Sequence, residues 1–204
     1  MYIPNYFRNN NQHEIEAFIV KHSFAVLITH HQQKQFATHL PIEMETTING
    51  EKVLHGHIAR GNPQWQTFEN GEQALAIFTG PHTYVSSSWY NHVNVPTWNY
   101  IAVHISGFMR ILNEEELFLS LKKLTDKYEV ISKNPVTVEG MHDNVRKQIK
   151  GIVGFEMRIE KMEGKWKMSQ NRDEEDYKNI IRELEELNDV NAKEVAEEMK
   201  KLRK

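Results

Sequence analysis

Arg60 stands where the neighbouring residue types favour phosphate binding. It follows an apolar segment, and Asn62 and Pro63 come directly after it. Asparagine is a preferred N-cap residue, and proline is tolerated at the first helical position, so we expect a helix to begin here. The free N–H groups of a helix N-terminus and an adjacent guanidinium both suit a phosphate. A surface arginine beside a helix start is the alternative interpretation.

Histidine is unusually frequent, with 11 residues in the chain. His55 and His57 alternate on a predicted strand and therefore share one face. A His-x-His pair needs further ligands to hold a metal, and His39, His82 and His104 are candidates. Hydrogen-bonded histidines in a semi-polar barrel are the simpler interpretation, so no metal is predicted. Haem bound through a single histidine is a further alternative.

Aromatic residues gather around Gly/Pro turns, where they could stack on a flat ring, although each is more simply explained as a core residue. They are Trp65, Tyr84, Trp89, Tyr90, Trp98 and Tyr100. Residues 165–172 form the only basic stretch with interleaved aromatic side chains. This stretch could contact nucleic acid, or it could be a strand end that reaches a ligand or only solvent.

Composition limits the possible functions. The chain has 204 residues, no cysteine and a net charge of -3. Disulfides, thiolate zinc sites, iron–sulfur clusters and cysteine nucleophiles are therefore excluded. Direct DNA binding is possible but is not supported by the charge. We find no signal peptide and no apolar run long enough for a membrane span, so we expect a cytoplasmic protein.

The elements that position these residues are mostly short strands. Apolar β-rich runs predict strands over residues 23–30, 35–43, 52–59, 73–79, 84–89, 97–112, 152–161 and 165–170. Turns are predicted at Gly80-Pro81 and Glu163-Gly164. Helices are predicted over residues 14–21, after an Asn113/Glu116 capping box, and twice after residue 173. This pattern predicts a mainly β (α+β) barrel over residues 1–172 and a helical appendage over residues 173–204.

Six motifs in chain order resemble those of the PaiB family. They are Met-Tyr-Ile-Pro-x-x-Phe at 1–7, Thr-His-Leu-Pro at 38–41, His-Gly-His-Ile-Ala-Arg-x-Asn-Pro-Gln-Trp at 55–65, Phe-x-Gly-Pro-His-x-Tyr-Val-Ser at 78–86, Val-Pro-Thr-Trp-Asn-Tyr at 95–100 and Ser-Gln-Asn-Arg at 169–172. The resemblance implies an FMN-binding split barrel and a homodimer with FMN near the subunit interface. It also implies a negative transcriptional regulator of degradative-enzyme and sporulation genes.

The same resemblance implies roles for individual residues. Arg60, Asn62 and Thr79 would hold the FMN phosphate, and Thr38, His39, Leu40 and Trp98 would line the isoalloxazine ring. His57 and Ile58 would contact the ring or the ribityl chain, and Gln170 and Arg172 would close the site, with the partner subunit as one possible source. No catalytic residue is assigned.

Two other functions remain open at this point, an FMN-dependent oxidoreductase of unknown substrate and a haem-binding split barrel. Many oxidase-type split barrels carry an arginine and a lysine where this strand has histidines, so pyridoxamine-phosphate oxidation is not expected.

Overall fold

The computed structural model describes residues 1–69, 71–142 and 147–203. Its strands are β1 (Arg8–Asn9), β2 (Phe24–His31), β3 (Lys34–Thr46), β4 (Lys52–Ala59), β5 (Ala74–Val85), β6 (Thr97–Ile111) and β7 (Ile152–Lys167). Its α-helices are α1 (Gln12–Lys21), α2 (Glu114–Glu129), α3 (Glu174–Glu186) and α4 (Val190–Leu202). No helix among the described residues is long and apolar enough to cross a membrane.

The strands form one seven-stranded sheet in the order β1-β7-β4-β3-β2-β5-β6. Strand β6 also pairs with β7, so six strands close into a hydrogen-bonded ring to which β1 adds at β7. Closure removes the exposed sheet edges that an open sheet would present. The predicted mainly β barrel with flanking and C-terminal helices is confirmed.

The hairpin that joins β2 to β3 sets the register of the first strands. Gln32 and Gln33 have φ values of 48° and 63°, and His31 pairs directly with Lys34. Positive φ at both central positions matches the right-handed twist of the flanking strands. The register then places Val26 opposite His39, which decides the sheet face on which each predicted site residue lies.

Two predicted turns are wrong, because their glycines serve close packing within continuous strands. Gly80 lies inside β5, where a Cβ atom would stand 2.6 Å from the Phe18 ring. Gly164 lies inside β7, where a Cβ atom would stand 2.7 Å from the Trp166 ring. Glycine is needed at both positions for space and not for a turn.

Two further predictions at element ends are corrected. The predicted strand over residues 84–89 ends at Val85, and Ser87–Trp89 forms a short 3-10 helix capped by the Ser86 hydroxyl. The helix expected after Asn62 is a 3-10 helix of five residues, Pro63–Thr67. The Asn113/Glu116 capping box is present at the start of α2 as predicted.

The chain divides into two compact units. The terminal unit comprises Met1–Phe18, Phe78–His104 and Glu163–Lys204, and the central unit comprises Ile19–Ile77 and Ile105–Met162. In the terminal unit, α3 and α4 pack together, and the buried Tyr177 hydroxyl donates to Met199 O at 2.7 Å. The predicted boundary at residues 172 and 173 stays a prediction.

Candidate cofactor site

The predicted site residues fall into two sets, one in each unit. Seven lie in the central unit, on β3, on β4 or just after β4: Thr38, His39, Leu40, His57, Ile58, Arg60 and Asn62. Four lie in the terminal unit: Thr79, Trp98, Gln170 and Arg172.

Strand geometry separates neighbouring residues in the central unit. Leu40 and Ile58 are each only 4% exposed and belong to the core, and Thr38 lies on the same face of β3 as Leu40. His39 lies on the opposite, outward face, where its ring stacks with the Phe24 ring at 6.4 Å. Because side chains alternate, Thr38 and Leu40 reach a ligand only from the face opposite to His39.

A small hydrogen-bond network fixes the backbone after Arg60. The Asn62 side chain accepts from Gln64 N at 3.0 Å and donates to Thr38 Oγ1 at 2.8 Å. The Thr38 hydroxyl donates to Gln64 Oε1 at 2.5 Å, and Gln64 Nε2 donates to Leu27 O at 3.1 Å. Gln64 is 1% exposed, so this side chain joins β2, β3 and the 3-10 helix from within the core.

The Arg60 guanidinium is held at one edge and open at the other. Its Nε donates to Lys150 O at 3.0 Å and its Nη2 donates to Ile152 O at 3.2 Å. The guanidinium also lies 6.0 Å from the Trp65 ring, whose Nε1 donates to Arg60 O at 2.9 Å. A guanidinium carries five N–H donors. Among the described residues Nη1 has no hydrogen-bond acceptor, so it remains for an anion. The exposed Arg60 side chain is thus oriented before any ligand arrives.

A cavity of about 610 Å³ lies beside Arg60 in the central unit. Its polar lining includes Arg60, Lys150 and Glu114, and its apolar lining includes Leu117 and Phe118 at the start of α2. Mixed apolar and convergent polar linings of this size are typical of small-molecule sites.

The two histidines on β4 have different surroundings. His55 Nε2 lies 3.0 Å from Glu156 Oε2, and Arg110 also binds Glu156, through Nε at 2.8 Å. Burial raises the pKa of Glu156, but the bonds from Arg110 and His55 outweigh it and lower that pKa overall. His57 is half-buried, and among the described residues its ring nitrogens have no hydrogen-bond partner. Burial lowers the pKa of His57, so its imidazole is neutral at pH 7.

Metal binding has no geometric support in the part of the chain that the structure describes, where no group of three or more His, Asp or Glu side chains is arranged to hold an ion.

In the terminal unit, Trp98 presents its ring to solvent. It is 53% exposed, and its ring lies 6.4 Å from the His82 ring and 6.0 Å from the Tyr84 ring. Lys167 Nζ donates to Trp98 O at 2.7 Å. Thr79 is exposed on β5, with no hydrogen-bond partner for its hydroxyl among the described residues.

Gln170 and Arg172 lie in a tight loop that follows β7. Ser169 has a φ of 58°, and Arg172 N donates to Ser169 O at 3.0 Å. The Gln170 side chain accepts from Met168 N at 2.8 Å and donates to Trp166 O at 2.5 Å, so it is used within its own loop. The Arg172 guanidinium instead stacks over the Tyr90 ring at 4.7 Å.

Sequence reasoning gave no role to two residues, one in each unit, that hold predicted site residues of their own unit. Gln64 was visible only as part of a motif, and nothing in its spacing shows that it is buried. Arg203 donates to Arg172 O at 2.6 Å and to Gln170 O at 3.1 Å, and its guanidinium lies 3.9 Å from the Tyr177 ring. A basic residue 31 positions beyond Arg172 carries no sequence signal for that contact.

The closed ring of strands defines a split barrel, and solved flavoproteins share this fold. The chain is similar to the FAD and haem binding protein from Mycobacterium smegmatis, with a TM-score of 0.60 and 15% identity over 78% of this chain and 73% of that one. It is also similar to the flavocytochrome Anf3 from Azotobacter vinelandii, with a TM-score of 0.60 and 16% identity over 87% of this chain and 78% of that one.

Sequence similarity is more specific than fold. Residues 1–161 match the family model described as "Putative FMN-binding domain". "Protease synthase and sporulation protein PAI 2" of Bacillus subtilis (strain 168) is 44% identical over 206 aligned residues, covering 100% of this chain and 99% of the relative. The chain therefore belongs to the PaiB family of FMN-binding split-barrel proteins, and FMN is its cofactor.

Proposed function

We propose that this FMN-binding protein is a negative transcriptional regulator of degradative-enzyme and sporulation genes. The observation that carries the proposal is the full-length match to a relative whose name concerns protease synthesis and sporulation. No other similarity described above extends over the whole chain. Regulation through bound flavin would couple the state of the cofactor to transcription.

We propose that the FMN phosphate binds at Arg60. The guanidinium has an open Nη1 edge, and Asn62 and Thr38 fix the backbone beside it. The N-terminus of a five-residue 3-10 helix adds little field, so Arg60 itself is the main anion-binding group. Bound FMN would supply electron or hydride chemistry, while the chain's residues bind and orient it.

The remaining predicted FMN contacts stay part of this proposal. Some of these residues have polar groups or rings available to a ligand, and others are buried in the core. His57 offers an uncommitted neutral imidazole, and Trp98 an exposed ring. His39 offers a ring on the outward face, and Thr79 offers an exposed hydroxyl that no described residue hydrogen-bonds. Leu40 and Ile58, being core residues, would contribute shape beneath the ligand.

We propose that the chain forms a homodimer through the outward face of β2, β3 and β5 in the central unit. This face is apolar, because Phe24, Val26 and Ile28 on β2 share it with Leu75 and Ile77 on β5. Phe24 is 64% exposed. Burying such a face is favourable, and contiguous exposed apolar surface marks interaction sites. His39 lies on the same face, which supports a position for FMN near the interface.

Titration of the cofactor-free protein with FMN tests the cofactor site, with Arg60→Ala as the variant and Arg158→Ala, an exposed arginine on β7, as the matched control. We expect saturable binding that weakens about tenfold or more in Arg60→Ala, equivalent to about 1.4 kcal/mol, and stays unchanged in the control. Equal affinity in wild type and Arg60→Ala would remove the phosphate from this site.

The regulatory role is tested in a spore-forming host. Deletion of the gene is expected to raise expression from a degradative-enzyme reporter, and the wild-type gene is expected to restore repression. Failure of the deletion to change the reporter would refute the proposal. A gel-shift assay at increasing salt distinguishes direct from indirect regulation. Binding that is weak, independent of sequence and lost as salt rises indicates only non-specific contact with DNA and therefore indirect regulation.

An FMN-dependent oxidoreductase is the second candidate, and His57 favours it. A half-buried neutral imidazole that no described residue hydrogen-bonds can accept a proton near neutral pH. Absence of NAD(P)H oxidation by the FMN-loaded protein, with and without candidate acceptors, would argue against this function.

A further inference from the structure

The cavity beside Arg60 has walls that the proposed FMN contacts do not account for. It measures about 610 Å³ and is lined by residues of the central unit. Its walls come from the end of β6, the start of α2, the 3-10 helix Lys147–Gly151 and the first residues of β7. Among the described residues that line it, Arg60 is the only predicted FMN contact. The residues predicted to contact the flavin ring lie outside the cavity, so another molecule is needed to fill it.

The inner wall of the cavity is apolar and closely packed. Leu112, Leu117 and Val153 are buried there. Gly154 allows β7 to approach α2, because a Cβ atom at that position would stand 2.7 Å from Leu117 Cδ1, and Leu112 N donates to Gly154 O at 3.0 Å. Protein interiors leave few large voids, and an unfilled cavity with apolar walls lowers stability. These walls therefore fit an occupant with an apolar body.

The rim of the cavity is held in place by Arg60. Its backbone N donates to Gly151 O at 2.7 Å, its Nε to Lys150 O at 3.0 Å and its Nη2 to Ile152 O at 3.2 Å. These three hydrogen bonds fix the point at which the 3-10 helix leads into β7. The rim is therefore formed before a ligand arrives.

The charges at the rim favour an anionic group on that ligand. Arg60 and Lys150 are the cations of the lining, and Glu114 is its carboxylate. Glu114 lies in the first turn of α2, where the helix N-terminus already stabilises negative charge. The exposed Lys150 ammonium forms no ion pair within the described part of the chain. One unpaired lysine matches a single negative charge, which favours a carboxylate over a phosphate dianion.

We propose that this cavity binds a small amphipathic carboxylate of the medium-chain fatty acid class. The apolar body lies against Leu112, Leu117 and Phe118, and the carboxylate lies at Lys150. The cavity volume is within the range of about 300–1,000 Å³ that is typical of small-ligand pockets. This ligand is additional to FMN, and its assignment does not depend on where the FMN phosphate binds.

Calorimetric titration with decanoate tests the inference. The titration uses FMN-saturated protein, in which the cofactor site is already filled. Lys150→Met removes the counter-charge, and Ile149→Phe fills part of the cavity. Lys147→Met, an exposed lysine of the same 3-10 helix outside the cavity lining, is the matched control. Where Ile149→Phe lowers the melting temperature, Phe118→Ala serves as the second variant, because it removes part of the apolar wall.

We expect wild type to bind one decanoate per chain. Binding should weaken about fivefold or more in Lys150→Met and about tenfold or more in Ile149→Phe, with less than about a twofold change in Lys147→Met. Decanol should bind about fivefold more weakly than decanoate because it lacks the charge. Acetate should not bind because it lacks the apolar body.

Several results would overturn the inference. The first is the absence of saturable decanoate binding by wild type. The second is an affinity that stays within about twofold of wild type in both Ile149→Phe and Phe118→Ala, which would place decanoate on another apolar surface. Equal affinity for decanol and decanoate would also overturn it, because the carboxylate would then have no part in binding.

An FMN titration of the cofactor-free variants separates this site from the cofactor site. We expect Ile149→Phe to bind FMN within about twofold of wild type, and a larger loss would place the flavin in the cavity and overturn the inference. If wild type binds no FMN, the proposed cofactor role fails, and decanoate titration of the protein as purified still decides the inference. If FMN binds through Arg60 but decanoate does not bind, the proposed function stands and the inference fails.

Discussion

The Thr38–Asn62–Gln64 network gives the sharpest test of how the cofactor site is held. Thr38→Val keeps the shape of the side chain and removes the hydroxyl. That hydroxyl donates to Gln64 Oε1 at 2.5 Å and accepts from Asn62 Nδ2 at 2.8 Å, so two hydrogen bonds are lost together. Gln64 is 1% exposed, so its oxygen is left with no water to replace the donor.

The magnitude follows from these two bonds. Each contributes about 1 kcal/mol net, and an unsatisfied buried acceptor adds to the loss, so we expect about 2–3 kcal/mol less stability. With an m-value of about 2–3 kcal/mol/M, the urea midpoint should fall by roughly 1 M at unchanged m. Affinity for FMN should also fall, because Asn62 loses the partner that orients it beside Arg60.

Urea unfolding of wild type, Thr38→Val and Thr46→Val measures this effect. Thr46 lies on the same strand, and among the described residues its exposed hydroxyl accepts only from Lys52. Thr46→Val should therefore change stability by less than about 0.5 kcal/mol. A loss below that value in Thr38→Val, or an equal loss in both variants, would show that the network does not hold the site.

Three further predictions concern charge, pH and packing. Arg110→Met should lower the free energy of unfolding, measured by chemical denaturation, by about 1–2 kcal/mol, because Glu156 loses its bidentate partner. The same loss should raise the pKa of Glu156 measured by NMR titration, and an unchanged carboxyl pKa would contradict this. Burial lowers the pKa of His57, so the stability that its neutral form contributes is complete above its unfolded pKa of about 6.5 and is lost as pH falls below that value. His57→Gln should therefore weaken the dependence of melting temperature on pH in that window. A pH dependence equal to that of wild type would contradict this. Gly80→Ala should lower the free energy of unfolding, measured by thermal denaturation, by about 1–3 kcal/mol, because the added Cβ would stand 2.6 Å from the Phe18 ring. An unchanged stability would show that the ring moves freely.

Local signals in the sequence were sufficient for several elements. The strand Lys52–Ala59 and the Asn113/Glu116 capping box follow from apolar patterning and from cap chemistry, which act over a few residues. The turns predicted at Gly80 and Gly164 were wrong because glycine is equally typical of a turn and of a strand position packed closely against another side chain. Only the position of the packing ring distinguishes the two, and a sequence pattern does not give that position. Ring closure through β6 and β7 joins segments far apart in the chain, which short-range patterns do not encode.

Short-range sequence patterns also do not show which predicted site residues are already hydrogen-bonded within the protein and which can still bind a ligand. Thr38 and Asn62 satisfy one another within a network, and Gln170 is bonded within its own loop. Arg60 and His57, by contrast, retain donors or acceptors that no described residue uses. A motif therefore combines residues that hold a site with residues that contact a ligand, and both kinds look alike in sequence. Substitutions of the first kind should lower stability and affinity together, whereas those of the second kind should lower affinity alone.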